Sequence, residues 1–206
     1  MAPRMTGIQR INAGIRLLPV WAIYMAGAGW ALWLFWLAAT GGLGIEPIEA
    51  LEHRYGKLAL QLIVLGLAVT PLRQGLGLNL MPLRRAIGVL AFFYVAAHLL
   101  VWAVLDVQSP AAIWADIIKR PYVTIGMAGF ALLIPLALTS NNWAVRRLGP
   151  LRWRAWHRLV YPAAALGALH YIWQAKGFQI EPLAYLVAVV VLVALRIRGL
   201  GRRVAR

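Results

Sequence analysis

The chain of 206 residues contains no cysteine and few charged residues. The absence of cysteine excludes a disulfide framework, a thiolate zinc site, a cysteine-ligated iron–sulfur cluster and a cysteine nucleophile. Charged residues make up 13% of the chain and hydrophobic residues 62%. Soluble domains have about 25% and about 45–50%, respectively. One aqueous core cannot hide so much apolar surface, so the composition predicts a membrane protein.

Long apolar segments predict the architecture of this membrane protein. A transmembrane helix needs about 20 mostly apolar residues, whereas membrane strands would show shorter, alternating segments. We therefore predict an all-α membrane protein, a six-transmembrane-helix bundle that forms a single domain over residues 1–206. A short helix is expected near Ala111–Ile118, between the third and fourth spans. The predicted spans are Val20–Ala39, Lys57–Leu72, Ala86–Leu105, Tyr122–Leu138, Leu159–Trp173 and Pro182–Leu200.

Acidic residues are rare, and the distribution of charge predicts the orientation. The chain has 6 acidic residues against 21 Lys and Arg, a formal net charge of +15. Sixteen basic residues fall on one side of the predicted bundle, and all six acids fall on the other side with Arg54, Lys57, Lys119, Arg120 and Lys176. Because cytoplasmic loops carry the excess of Lys and Arg, we predict that both termini are cytoplasmic. The positive side then faces anionic membrane lipid, and no nucleic-acid partner is expected.

Histidines are the polar outliers within the predicted spans, because all six carboxylates lie at span ends or in loops. The lack of an acidic group inside the bilayer argues against a carboxylate-based pump. His98 lies in the third predicted span and His170 in the fifth. At about 1.5 Å per residue, they lie roughly 18 Å and 16 Å from the same side of the membrane. Two histidines at one level are predicted to face each other.

Two facing imidazoles fit haem better than they fit zinc. Zinc takes three or four protein ligands, and neither cysteine nor a carboxylate is available at that depth. A porphyrin brings four nitrogens, so the protein adds only one or two axial ligands, and an apolar helix bundle suits a large apolar ring. We predict that His98 and His170 are the metal ligands of a bis-histidine haem that passes electrons. The alternative is that each imidazole binds only a neighbouring carbonyl.

Three further residues are candidates for cofactor binding near the cytoplasmic side. His157 precedes His170 by 13 residues, and Arg84 precedes His98 by 14 residues on nearly the same helix face. If a second haem lay there, His157 could ligate its iron, but arginine is not a plausible iron ligand. Arg84 and Arg85 could instead bind a haem propionate or a flavin phosphate. The alternative for both arginines is simple anchoring on the cytoplasmic side.

Two other features have a simple interpretation and a functional one. His53 is expected at the outer interface, either solvated or in contact with a quinone head group or an outer partner. The basic segment from Arg146 to Arg154 is expected as a loop that faces the cytoplasm. The same segment is a candidate for binding a flavin phosphate or an acidic cytoplasmic electron donor.

The histidines and their flanking residues resemble the ferric-reductase-like transmembrane family and, within it, the MsrQ (YedZ) family of haem-binding membrane subunits. The matching residues cover about positions 45–195, which the resemblance identifies as the haem-binding core. They are Gly56-Lys57, Thr70-Pro71-Leu72-Arg73, Arg84-Arg85 with His98, Lys119-Arg120-Pro121-Tyr122-Val123-Thr124-Ile125-Gly126, Leu138-Thr139-Ser140, and Trp156-His157-Arg158-Leu159-Val160-Tyr161 with His170-Tyr171.

The resemblance implies a cytochrome b-type subunit in the bacterial inner membrane. It implies b-type haem, with FMN as well, and it matches His98, His157 and His170 to the haem-associated histidines. Electrons would come from the quinone pool or a cytosolic flavin reductase. They would pass to a periplasmic molybdopterin methionine-sulfoxide reductase, where the sulfoxide is reduced and oxidised proteins are repaired. Related oxidases carry a second histidine in the third span, at the position of Arg84 in this chain.

Two other classes of function remain open from the sequence. The first is a transporter or channel whose histidines line a polar path, which predicts a continuous wet cavity and no stoichiometric pigment. The second is a non-catalytic membrane scaffold for a partner enzyme. It predicts that the partner's activity survives the loss of all three intramembrane histidines.

Overall fold

The computed structural model describes residues 6–175 and 178–204, with side chains as far as residue 196. Within these ranges the chain is helical and contains no strand. Of the charged residues that predict the orientation, Arg4, Lys176 and Arg206 lie outside the described residues, as do the side chains of Arg198, Arg202 and Arg203. The α-helices are α1 (Gly7–Leu17), α2 (Val20–Ala39), α3 (Pro47–Gly75), α4 (Arg84–Leu100), α5 (Pro110–Lys119), α6 (Pro121–Leu138), α7 (Asn142–Trp156), α8 (Val160–Gln174) and α9 (Ile180–Val204).

Four helical segments of the described chain are long and apolar enough to cross a membrane, which confirms the prediction of an all-α membrane protein. They are Val20–Ala39, Pro47–Gly75, Met81–Val107 and Pro121–Leu138. The third segment includes a 3-10 turn before α4 and a π-helix after it. The fifth predicted span corresponds to α8, which has 15 residues, and the sixth corresponds to α9, which has 25.

Helix α2 presents most of its apolar residues outward. Only Ala31 and Leu34 are buried among its 20 residues. Trp21 and Leu32 are 67% and 70% exposed. A helix that is apolar on all sides fits a lipid environment. Lipid can cover the apolar side chains that the bundle leaves exposed, whereas water cannot do so without a cost in free energy.

The second predicted span is wrong at both ends. Helix α3 begins at Pro47, a favourable first helical position, and it continues through Pro71 instead of stopping there. A proline within a helix has no N–H and leaves the carbonyl four residues earlier unpaired. Here the guanidinium of Arg196 replaces the missing donor, because its Nη2 lies 3.1 Å from the Leu67 carbonyl and 3.2 Å from the Gly66 carbonyl. A contact with α9 therefore compensates for the hydrogen bond that the helix loses at Pro71.

One segment differs from the expected loop, one helix was not predicted, and one short helix is confirmed. The basic segment expected as a loop is helical within α7, with a kink at Gly149, whose φ of 75° favours glycine. Helix α1 was not predicted; Thr6 accepts from the Gln9 N–H and Gln9 bonds back to Thr6, a capping box. The short helix expected near Ala111–Ile118 is confirmed as α5.

The long helices cross the bundle in alternating directions along the chain and define two ends. We call the end where α3, α6 and α9 begin the acidic end, and the end where α4 and α8 begin the basic end. The core between them contains Leu67, Ala164 and Val189, each at most 1% exposed. Small residues such as Ala163 and Ala164 allow α8 to approach its neighbours closely.

Two buried tyrosines attach α2 to the rest of the bundle. The Tyr55 hydroxyl donates to the Ala31 carbonyl and the Tyr94 hydroxyl to the Gly27 carbonyl, both over 2.7 Å. Tyr55→Phe and Tyr94→Phe are each expected to lower the free energy of unfolding by about 1 kcal/mol, because a membrane hydrogen bond is worth roughly 0.6–1.7 kcal/mol. Equilibrium unfolding in mixed micelles measures the free energy of unfolding of each variant and of the parent chain.

The matched control for this prediction is Tyr24→Phe, because the Tyr24 hydroxyl has no hydrogen bond among the described residues. This control should leave the unfolding free energy unchanged. If all three variants unfolded like the parent chain, the two hydrogen bonds would contribute nothing to the attachment of α2.

Candidate functional site

His98 lies near the end of α4 and its ring packs against the first turns of α3. Its Nδ1 lies 3.0 Å from the Glu52 carbonyl oxygen. A carbonyl oxygen only accepts, so the proton of the ring is on Nδ1 and Nε2 carries the free lone pair. Gly56 follows Glu52 by one helical turn, and a Cβ on it would lie 3.1 Å from the His98 Nδ1. The ring is therefore held against the backbone of α3.

His170, on α8, is held in the same way by the backbone of α6. It lies near the end of α8, and its Nδ1 donates to the Tyr122 carbonyl oxygen of α6 over 2.7 Å. Gly126 follows Tyr122 by one turn, and a Cβ on it would lie 2.9 Å from the His170 Nδ1. The Nε2 of His170 is therefore also left free as an acceptor or ligand.

The two rings lie next to each other at the acidic end. Their centroids are 6.1 Å apart and their planes cross at 77°. A metal–imidazole bond is about 2 Å long, and the ring centre lies about 1 Å behind the nitrogen, so two rings on opposite sides of one ion are about 6 Å apart. The observed separation fits this arrangement. The structure brings the rings together as their depths predict; their role as haem ligands stays a prediction.

The chemistry of the donor set also fits a cofactor that brings its own ligands. Among residues 6–175 and 178–204, no group of three or more His, Cys, Asp or Glu side chains is placed to hold a metal ion. Two imidazoles alone make an incomplete site for zinc. They are a complete axial set for iron in a porphyrin. The residues present therefore fit haem.

His157 occupies a separate position at the basic end. It begins the 3-10 turn before α8, 13 residues and about 20 Å of helix away from His170. Its ring stacks on Trp153 with centroids 3.8 Å apart, and its Nδ1 lies 3.0 Å from the Trp153 carbonyl. Its Nε2 is buried and makes no hydrogen bond of normal geometry, with the Leu136 carbonyl as a polar group close to the ring. An unpaired buried nitrogen costs free energy, so this atom is available to a ligand.

The structure places the two candidate arginines at the basic end, where His157 also lies. Arg84 and Arg85 begin α4, and both lie close enough to His157 to interact with it electrostatically. The Arg85 Nη1 donates to the Asn142 Oδ1 over 2.7 Å. Arg196 lies near Arg84, and its Nε is buried without a partner. The guanidinium groups are suited to an anionic ligand, whereas the lone pair of the His157 Nε2 suits a metal ion or a hydrogen-bond donor.

His53 belongs to a polar row on α3 whose members were not predicted to act as a unit. Its ring bonds to Gln174 of α8. The next two members of the row on α3 are Lys57, 2.5 Å from Glu181, and Gln61, whose amide donates to the Tyr185 hydroxyl over 2.9 Å. The spacing of four residues puts the three on one helix face, a signal that was present in the sequence. His53 also lies within electrostatic range of His98 and His170.

A cavity of about 370 Å³ lies between α2, α3 and α4. Its lining is mostly apolar, so it does not offer the wet path that a histidine-lined channel requires. Neither His98 nor His170 contributes to it. The lining residues are Gly27, Trp30, Leu58, Gln61, Leu62, Leu65, Leu90 and Tyr94.

Comparison with known proteins shows the family of the chain. The model of the family described as "Ferric reductase like transmembrane component" matches residues 55–168, more than half of the chain. The protein-methionine-sulfoxide reductase heme-binding subunit MsrQ of Agrobacterium fabrum is 48% identical over 179 residues, which is 86% of this chain and 83% of that protein. The chain belongs to the MsrQ family. The MsrQ of Brucella ovis is 45% identical over 86% of this chain and 81% of its own length. No solved structure matches this MsrQ-family chain.

Proposed function

We propose that the chain is the haem-binding electron-transfer subunit of a methionine-sulfoxide reductase system. The observation that carries the proposal is the His98–His170 pair, with ring centres 6.1 Å apart and each Nδ1 bonded to a backbone carbonyl. The names of the relatives support the same function. A bound b-type haem would supply a one-electron couple within the membrane.

The residues of this chain would hold and shield that couple. His98 and His170 would hold the haem iron through their Nε2 atoms, and the haem would then serve electron transfer and not the binding of oxygen or substrate. The carbonyls of Glu52 and Tyr122 would keep each Nε2 directed at the metal. The surrounding helices α3, α4, α6 and α8 would keep water away from the two rings. Sulfoxide reduction itself would take place in the partner.

A second cofactor position is proposed at the basic end. The buried, unpaired Nε2 of His157 would ligate or hydrogen-bond the cofactor. Arg84 and Arg85 would bind its acidic groups, which are propionates in a second haem or the phosphate of FMN. The position of the cations beside His157 supports this proposal.

The orientation follows from the charges at the two ends. We propose six spans in a single domain of residues 1–206, with a haem-binding core over about 45–195, in the bacterial inner membrane with both termini cytoplasmic. The basic end would then meet the donor, a cytosolic flavin reductase or quinol. The acidic end, with the His98–His170 pair, would face a periplasmic molybdopterin reductase.

Electron transfer to the partner tests the proposed function directly. The purified chain, reduced with dithionite and freed of excess reductant, is mixed with the molybdopterin reductase and methionine sulfoxide. We expect the absorbance of the reduced haem to decay only when both are present. A pigmented chain whose absorbance did not change would contradict electron transfer. Partner activity in membranes that survived His98→Ala, His157→Ala and His170→Ala together would favour the scaffold.

A further inference from the structure

We propose that Gly56 and Gly126 are positioning residues that seat the two imidazoles against the backbone. This inference rests on the proposed binding of haem by His98 and His170. Each glycine lies four residues after the carbonyl that its histidine contacts, which is Glu52 for Gly56 and Tyr122 for Gly126. The same seat thus occurs twice, once on α3 for the ring from α4 and once on α6 for the ring from α8.

The geometry of the helix explains why glycine is needed at this spacing. The carbonyl of residue i accepts the N–H of residue i+4, and the side chain of residue i+4 leans back toward the helix N-terminus. A side chain at i+4 therefore lies beside the carbonyl that the imidazole must reach. Removing the Cβ opens the approach and lets the ring share the carbonyl with the helix.

Measured contacts show how closely the rings fit these seats. A Cβ on Gly126 would lie 2.9 Å from Nδ1 and 3.0 Å from Cε1 of His170. A Cβ on Gly56 would lie 3.1 Å from Nδ1 and 3.4 Å from Cε1 of His98. Both glycines lie inside helices with ordinary backbone angles, so the space beside the ring, and not backbone freedom, requires glycine.

Helix propensity gives the opposite expectation, which makes the inference testable. Glycine inside a helix is clearly less favourable than alanine. If these glycines had no role at the rings, alanine at both positions would stabilise the chain. In the proposed seats, alanine pushes the ring away from its carbonyl, and the loss of that hydrogen bond lowers the basicity of the imidazole.

The matched control is Gly88→Ala on α4, the helix that carries His98. A Cβ on Gly88 would meet no atom within 4 Å. This variant has the same change in helix propensity and no contact with a histidine ring. It should have the same haem affinity and the same reduction potential as the parent chain.

Haem affinity and reduction potential of the purified full chain test the inference. Gly126→Ala is expected to lower the affinity for haem about 10- to 100-fold, as loss of an outer-shell partner does at other metal sites. Gly56→Ala, with looser contacts, should retain its haem and fold. Its reduction potential should rise, because a less basic ligand stabilises the oxidised iron less. Size-exclusion chromatography in detergent monitors folding.

The outcomes separate this inference from the proposed function. If Gly56→Ala and Gly126→Ala both had the haem affinity and reduction potential of Gly88→Ala, the proposed role of the two glycines would be wrong. An equal loss of haem affinity in Gly56→Ala, Gly126→Ala and Gly88→Ala would indicate a general effect on helix packing. That result would also contradict the proposed role of the two glycines. Haem that keeps its spectrum in both His98→Ala and His170→Ala would instead overturn the proposed ligands, whatever the glycine variants do.

Discussion

His98→Ala and His170→Ala are each expected to abolish the low-spin haem spectrum of the purified chain. Loss of one axial nitrogen leaves the iron with a single protein ligand and an apolar gap. Changes to outer-shell partners already lower metal affinity about 10- to 100-fold, so loss of a ligand should lower haem affinity by at least about 100-fold. Haem content per chain and the Soret and α bands after purification measure this effect.

His53→Ala is the matched control for these two variants. His53 is a third imidazole at the acidic end, and it lies within electrostatic range of both rings. It bonds to Gln174 and does not form part of the facing pair. We expect its loss to leave haem content and the spectrum unchanged. If His53→Ala removed the haem and His98→Ala did not, the assignment of the axial ligands would be wrong.

Arg196→Met is expected to lower the free energy of unfolding by about 1–3 kcal/mol, the penalty for a buried group left without its hydrogen bond. The Arg196 guanidinium contacts the Leu67 carbonyl, which Pro71 leaves without its helical donor. Leu67 is only 1% exposed, so water is not placed to replace this donor. Methionine keeps the length of the side chain and removes the hydrogen bonds.

A double-mutant cycle with Pro71→Ala isolates this effect. Alanine restores an N–H at position 71, which can donate to the Leu67 carbonyl in the ordinary helical way. Arg196→Met should then cause a clearly smaller loss in the Pro71→Ala background than in the parent chain. Equal losses in both backgrounds would contradict the proposed compensation. Unfolding in mixed micelles provides all four values.

Much of the fold could be predicted because membrane helices are encoded in long apolar segments. The first and fourth predicted spans agree with α2 and α6 within one residue at each end. The C-terminal limit of α3 could not be predicted in this way, because the donor that compensates for Pro71 comes from Arg196, far along the chain. Local rules for proline describe an isolated helix, and a tertiary contact overrides them here.

The candidate site, like the fold, could be predicted only in part from the sequence. The common level of His98 and His170 followed from counting residues along two helices, and the structure places their rings side by side. The acceptors of their hydrogen bonds are backbone carbonyls, which every residue has, so the sequence carries no signal for Glu52 or Tyr122. The seat glycines become recognisable only when the rings are seen against them. The proximity of Arg196 to Arg84 likewise depends on tertiary packing, because α4 and α9 both pack against α3.

Electron paramagnetic resonance of the oxidised, detergent-purified chain tests the central claim most directly. The chain is expressed with ample haem, and its haem content is quantified on the same sample. We predict a low-spin ferric signal with two imidazole ligands, which His98→Ala and His170→Ala each remove. A chain that purifies without pigment, or a high-spin signal that neither variant alters, would contradict the account.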